Sequence, residues 1–145
     1  MATGTSEGVI QVWDMKTQTN VTNFAEHSQA VRSIAFSENG YYMASGANDG
    51  VVKVWDLRNG MCLKSLEMGS EVNAVQFDYS GMYLSVGSNQ LDVFDSKSWE
   101  KRFECTEDVG GYHCLAFGDK AKYLLAGCGN RSISRFSLWC VCYKE

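Results

Sequence analysis

Residues 26–58 read EHSQAVRSIAFSENGYYMASGANDGVVKVWDLR, and the fold follows from this stretch. Apolar and polar residues alternate over Val31–Phe36, which predicts a half-buried strand. A turn follows at Ser37-Glu38-Asn39-Gly40, and a second strand is predicted at Tyr41–Gly46. Asn48-Asp49-Gly50 is a tight turn, and Val51–Trp55 is a third strand. Beyond the quoted stretch, Arg58-Asn59-Gly60 makes another turn and Met61–Leu66 a fourth strand. Asn-Gly and Asp-Gly supply the positive φ angles of short hairpin turns. The expected unit is a four-stranded antiparallel meander.

The unit recurs in both directions. Trp13-Asp14 lies 42 residues before Trp55-Asp56, Phe94-Asp95 lies 39 after it, and Phe136-Ser137 follows 42 later. Each pair ends a short alternating run: VIQVWD, VVKVWD, QLDVFD and SISRFS. The spacing falls within the ~40–45 residues of one propeller blade. The first repeat shows only its second half, with Ala2-Thr3-Gly4-Thr5 ending a second strand, then Val9–Trp13 and Val21–Phe24. The third repeat reads Val72–Phe77, Met82–Val86, a shortened turn near Ser88-Asn89, and Leu91–Phe94. The fourth reads Tyr112–Phe117, a turn at Gly118-Asp119, Tyr123–Ala126, a turn at Gly129-Asn130, and Ser132–Phe136.

These residues resemble the WD-repeat β-propeller family. The fold class expected is all-β, a partial propeller of about three and a half blades. The boundaries expected are a half blade at 1–27, full blades at 28–69 and 70–109, a last blade without its fourth strand at 110–138, and a divergent tail at 139–145. In that family a His before the first strand, a Ser or Thr on the second, the turn Asp and the Trp form a buried hydrogen-bonded chain. The matching residues are His27, Ser45, Asp49 and Trp55. Glu7 and Thr3 stand at the Asp49 and Ser45 positions of the first repeat, Phe94 replaces the Trp of the third, and Asn130 and Phe136 depart in the fourth. Those three repeats are expected to rely on packing alone.

A narrower resemblance is carried by ATGTSEGVIQVWD, HSQAVRSIAFSENGYYMASGANDGVVKVWDLR and AFGDKAKYLLAGCGNRSISRFSL. These are similar to the last repeats of the spliceosome-associated U-box ubiquitin ligases. What that resemblance implies is a nuclear protein acting in pre-mRNA splicing, ubiquitination and DNA repair. In such proteins a U-box recruits the charged conjugating enzyme, a coiled coil builds a homo-oligomer, and the propeller recruits splicing-complex subunits and substrates. Neither a U-box nor a heptad run is present in these residues, so no ligase activity is expected of this chain by itself. The alternative is a WD-repeat scaffold unrelated to ubiquitin. The resemblance fades after Leu138. Leu138–Tyr143 alternates and is apolar, so it reads either as a substitute fourth strand or as an unpartnered tail.

Composition narrows the function classes. The formal charge of −4 over 145 residues argues against a nucleic-acid surface, which needs a basic footprint. No run approaches the ~20 apolar residues of a membrane span. Met1–Gly8 lacks the basic and apolar regions of a secretory signal. The 6 cysteines, with no repeating spacing, read as reduced thiols of an intracellular protein. Cys140-x-Cys142 is too short and too isolated to argue for a metal, and no cofactor is expected. Gly110-Gly111 and Gly127-x-Gly129 precede no helix, so they are not phosphate loops.

Function is therefore sought in a binding face. The starts of the first strands and the turns between second and third strands lie together around a propeller's channel. By register that face presents Arg32, Asn48, Glu71, Asn73 and His113. The plainer reading is that these are solvated strand ends. Trp99 is expected to pack as a fourth-strand residue.

Overall fold

A computed structural model describes residues 1–118 and 121–137. The expected turn residue Asp119, the segment Leu138–Tyr143 and Cys140-x-Cys142 lie wholly or partly outside the described residues. The described chain forms fourteen strands in four antiparallel sheets that follow one another along the sequence. The first sheet holds β1 (Ala2–Gly4), β2 (Ile10–Asp14) and β3 (Thr19–Phe24). The second holds β4 (Val31–Phe36), β5 (Tyr42–Ala47), β6 (Val51–Asp56) and β7 (Met61–Glu67). The third holds β8 (Ala74–Phe77), β9 (Tyr83–Gly87), β10 (Leu91–Asp95) and β11 (Lys101–Cys105). The fourth holds β12 (Tyr112–Phe117), β13 (Tyr123–Cys128) and β14 (Ile133–Ser137). Strands pair only with sequence neighbours, so each sheet is a meander. The architecture is that of a partial WD-repeat propeller.

The central sheets bury both faces, which is why their middle strands read as near-continuous apolar runs. Period-two alternation sends Met43 to the first sheet, where it packs with Ile10, Phe24 and Trp55. It sends Ala44, Val52 and Val54 to the third sheet, against Val75, Phe77, Leu84 and Val86. Leu91 and Val93 then meet Tyr112, Leu124 and Ala126 of the fourth. Phe24 and Trp55 stack across the first junction with ring centroids 4.4 Å apart.

One hydrogen bond repeats at every junction. Val31 N–H donates to Thr5 O at 3.1 Å, Val72 N–H to Ala47 O at 3.1 Å, and Tyr112 N–H to Ser88 O at 2.7 Å. Each ties the entry of a first strand to the end of the second strand one sheet earlier. The residue before each acceptor is a glycine: Gly4, Gly46 or Gly87. A Cβ on Gly46 would lie 2.3 Å from Val72 Cγ1, and one on Gly4 would lie 2.7 Å from Val31 Cγ1. The sheets approach this closely only because no side chain intervenes. β8 begins at Ala74 rather than at the expected Val72, although the Val72 amide makes the same junction bond as those of Val31 and Tyr112.

The aspartate of each Trp-Asp or Phe-Asp pair closes the next turn. Lys16 N–H donates to Asp14 Oδ1 at 2.8 Å, Arg58 N–H to Asp56 Oδ1 at 2.9 Å, and Lys97 N–H to Asp95 Oδ1 at 2.8 Å. Each turn then needs one left-handed residue, filled by Gln18 (φ 56°), Gly60 (φ 65°) and Trp99 (φ 57°). Trp99 is thus a turn residue and not part of the fourth strand, which starts at Lys101. Its indole packs, partly buried, against the core between the second and third sheets. A non-glycine residue in this region costs of order 1–3 kcal/mol, and the indole contacts offset that.

Gly46→Ala is expected to destabilise the chain by ~1–3 kcal/mol through overpacking at Val72. Urea unfolding checks it. Adding Val72→Ala removes the clash, so the double variant should lose less than the sum of the two single changes.

Candidate functional site

The second sheet is entered by the loop 25–30, and His27 on that loop is buried. Its Nδ1 lies 2.9 Å from Asp49 Oδ2 and its Nε2 lies 2.8 Å from Ser45 Oγ. Trp55 Nε1–H donates to the same Ser45 Oγ at 2.9 Å. The structure thus brings His27, Ser45, Asp49 and Trp55 together. With a neutral ring, one proton arrangement satisfies every group. Trp55 donates to Ser45, the Ser45 hydroxyl donates to Nε2, and Nδ1–H donates to the carboxylate. Asp49 also accepts from Ser28 N–H through Oδ2 and from Val51 N–H through Oδ1, both at 3.0 Å. Burial acts to raise the Asp49 carboxyl, but the His27, Ser28 and Val51 donors outweigh it and hold it below its ordinary value.

The connectivity is that of a Ser-His-Asp triad, yet the geometry serves structure. Ser45 and Trp55 are both 0% exposed. The indole occupies the serine oxygen from one side, and no substrate carbonyl can reach it. Among the described residues, no group of three His, Cys, Asp or Glu side chains converges as metal ligands do.

The other sheets keep parts of this chain. In the first, Trp13 Nε1–H donates to Thr3 Oγ1 at 3.3 Å, so that sheet does not rely on packing alone. Threonine at the serine position provides the same acceptor. In the fourth, Asn130 Oδ1 accepts Ser132 N–H at 3.0 Å, the turn-closing half of the Asp49 role. In the third, buried Val86 and Phe94 stand where Ser45 and Trp55 stand, and the link is apolar. That sheet buries a charge elsewhere: Asp92 is 0% exposed and lies 3.0 Å from Lys101 Nζ, with Gln90 Nε2–H donating to it at 2.8 Å. Burial acts to lower the Lys101 ammonium, and the neighbouring Asp92 and Glu104 carboxylates prevail and hold it above its usual value. Nothing in local sequence marks Asp92 as buried. Its alternation with Leu91 and Val93 would place it on a polar face, but both faces of this sheet are covered.

Of the residues expected on the binding face, Arg32, Glu71, Asn73 and His113 sit at or just before first strands, and Asn48 sits in the β5–β6 turn. Arg32 and His113 are each the extra residue of a β-bulge, between Val31 and Ser33 and between Tyr112 and Cys114. A bulge turns such a side chain out of the ladder, and both are exposed. Asn73 takes the matching place before β8, half-buried, with its N–H donating to Gly87 O at 2.9 Å. Asn48 N–H donates to Ala30 O at 3.0 Å, which holds the β5–β6 turn against the entry to β4. Its Oδ1 is buried with no hydrogen-bond partner among the described residues. Glu71 is exposed just before β8. Arg32 also borders a cavity of about 290 Å³ between β1 and β4. The His113 ring lies over Gly129, with Nε2 3.1 Å from where a Cβ would be. No described hydrogen bond or ion pair joins the side chains of these five residues, so they form a row of separate polar contacts rather than one cluster.

A WD domain, G-beta repeat model matches residues 18–56. That span runs from β3 to the end of β6, so the sequence unit takes the outer strand of one sheet and the first three of the next. The chain is 42% identical over 138 residues to pre-mRNA-processing factor 19 of Homo sapiens, covering 94% of this chain and 27% of that protein. It is 38% identical over 144 residues to pre-mRNA-processing factor 19 homolog 2 of Arabidopsis thaliana, covering 95% and 27%. It is 33% identical over 136 residues to mitochondrial division protein 1 of Vanderwaltozyma polyspora, covering 92% and 19%. The chain therefore spans about a quarter of the length of the pre-mRNA-processing relatives.

Ser45→Ala leaves the His27 and Trp55 ring nitrogens without their shared partner and should cost ~1–3 kcal/mol in denaturant unfolding. Asp49 adds a pH signature. Its folded carboxyl sits below the ordinary value, so its stabilisation is complete above that value and is lost as pH falls through the folded pKa. Stability should decline below about pH 4, the usual carboxylate range, and Asp49→Asn should flatten that acid limb. An unchanged limb in Asp49→Asn would contradict the assignment.

Proposed function

This chain is a WD-repeat protein homologous to pre-mRNA-processing factor 19, and from that we propose that it is a protein-interaction scaffold acting in pre-mRNA splicing. The observation that carries the reading is 37–42% identity to pre-mRNA-processing factor 19 proteins over 94–95% of the chain, across plants and mammals. Conventional catalysis finds no support in the buried His27–Ser45–Asp49 chain, which spends its hydrogen bonds on holding the second sheet together.

The face formed by Arg32, Asn48, Glu71, Asn73 and His113 is the proposed partner-binding surface. Its side chains rise from strand entries and from the β5–β6 turn, backbone that the junction hydrogen bonds and the Asn48–Ala30 bond hold in place, so little ordering entropy is lost on binding. The partners proposed are proteins: subunits of a splicing complex in the nucleus and, in a longer protein bearing a U-box, substrates for ubiquitin transfer. In that setting the propeller would act by tethering, raising the substrate's effective concentration beside the conjugating enzyme. DNA repair and homo-oligomerisation through a coiled coil belong to the same longer-protein proposal.

A second reading is a WD-repeat scaffold outside splicing. It is favoured by the 33% identity to mitochondrial division protein 1, whose name has no link to RNA. One propeller architecture serves many roles.

Affinity capture separates these readings. Tagged chain incubated in nuclear extract should recover splicing-complex proteins, identified by mass spectrometry. Arg32→Ala combined with His113→Ala should lower that recovery about tenfold, the loss expected when a central anchor pair is removed. Undiminished recovery would exclude this face, and recovery of no splicing proteins would favour the second reading.

A further inference from the structure

Three turns of this chain set a glycine directly after an asparagine or aspartate: Asn39-Gly40, Asp49-Gly50 and Asn59-Gly60. Such pairs carry a chemistry of their own. With no side chain to shield it, the glycine main-chain nitrogen can attack the side-chain carbonyl carbon of the residue before it. At asparagine the N–Cγ bond forms as the nitrogen gives up its proton, the Cγ–Nδ2 bond breaks, and ammonia leaves. The turn is then a succinimide ring, which water opens. Cleavage at Cγ gives aspartate. Cleavage at the main-chain carbonyl gives isoaspartate, with the backbone rerouted through Cβ and Cγ. The sum is the hydrolysis of one amide and consumes only water.

The structure separates the three turns. Asp49 presents a carboxylate, a poor electrophile, already engaged by His27, Ser28 and Val51. A Cβ on Gly50 would lie 3.2 Å from Ser70 O, so that nitrogen is also crowded. The two Asn-Gly pairs carry equivalent nucleophiles. Gly40 N–H donates to Ser37 O and Gly60 N–H to Asp56 O, each at 2.9 Å. Both glycines are left-handed, with φ 71° and 65°, and nothing lies within 4 Å of where a Cβ would be on either. Both asparagines are exposed.

The difference lies in the side-chain amide. Asn39 Oδ1 accepts from Tyr41 N–H at 2.9 Å and from the hydroxyl of buried Ser37. These bonds lock the amide into its turn, and both must break before Cγ reaches the Gly40 nitrogen. Asn59 is tied by Nδ2 alone, through a long 3.3 Å bond to Asp56 Oδ2, and among the described residues its Oδ1 accepts nothing. Asp56 is itself committed to Arg58, through Nε at 3.0 Å and Nη2 at 2.7 Å.

We propose that Asn59 is a site of spontaneous modification, converting to isoaspartate in the folded chain, and that Asn39 is protected by its turn although dipeptide and exposure are the same. The product alters the β6–β7 turn twice. The backbone gains a methylene between Asp56 and Met61, the pair that ends the hairpin. A carboxylate also replaces the amide that donated to Asp56, so two anions compete for Arg58. The free α-carboxylate of isoaspartate is the group that isoaspartyl carboxyl methyltransferases accept from S-adenosylmethionine chemistry, which makes the aged chain a methyl acceptor.

The test ages residues 1–145 in mildly alkaline buffer, folded and in guanidinium chloride. Peptide mass spectrometry maps isoaspartate, and labelling by an isoaspartyl methyltransferase is the second readout. In the folded chain Asn59 should convert about tenfold faster than Asn39, the ratio for roughly one additional net hydrogen bond to break at Asn39. In guanidinium chloride the turns are gone and the two rates should be similar. Asn59→Gln should remove the signal from that turn, because the longer side chain must close a six-membered ring. Equal rates in the folded chain, a faster Asn39, an Asn59 that converts only when unfolded, or the same tenfold ratio kept in guanidinium chloride would each overturn the proposal.

Discussion

Everything in this chain depends on how closely one sheet can approach the next. A meander of three or four strands buries too little to be stable alone, so each sheet must lend its faces to its neighbours. The approach is fixed by a main-chain hydrogen bond from the entry of each first strand to the end of the preceding sheet's second strand. It is permitted by a glycine beside each acceptor, at Gly4, Gly46 and Gly87. Backbone bonds do not depend on side-chain identity, which is why the junction survives where the side chains around it change. It joins Val31, Val72 and Tyr112 to their neighbours alike, although the third sheet has lost its tryptophan and its histidine.

The buried His27 chain is a local reinforcement of that plan. It binds the loop between the first and second sheets to the β5–β6 turn and to the tryptophan of β6. A polar network inside an apolar core is costly when incomplete, and this one is complete. Its effect is to fix the entry to β4, where Arg32 emerges. Rigidity at the core thus becomes position at the surface. The same logic holds at the other end, where aspartates close the turns between third and fourth strands.

The second sheet was legible almost residue by residue, because its turns carry Asn-Gly, Asp-Gly and Trp-Asp at every corner. The third was legible in outline and misread in detail. Its left-handed turn position is held by Trp99 instead of glycine, so the usual signal was missing and an aromatic residue read as strand. Asp92 was invisible for a related reason: a carboxylate in an alternating run looks solvated unless its partner Lys101, nine positions away on the next strand, is known. Thr3 was placed correctly by register, but its bond to Trp13 needed the geometry of β1 against β2. The residues of the proposed binding face follow from counting along the strands.

A partner-binding scaffold of this kind requires the four sheets to form one rigid arc. Native-state amide hydrogen exchange of residues 1–145, resolved by residue, addresses that claim most directly. The Val31, Val72 and Tyr112 amides point across junctions and have no partner within their own sheets. In a rigid arc they exchange as slowly as the interior amides of β5 and β6, and in concert with them. Rapid exchange at these three positions, with protection kept inside the sheets, would mean that the sheets form without stacking, and the rigid arc would be refuted.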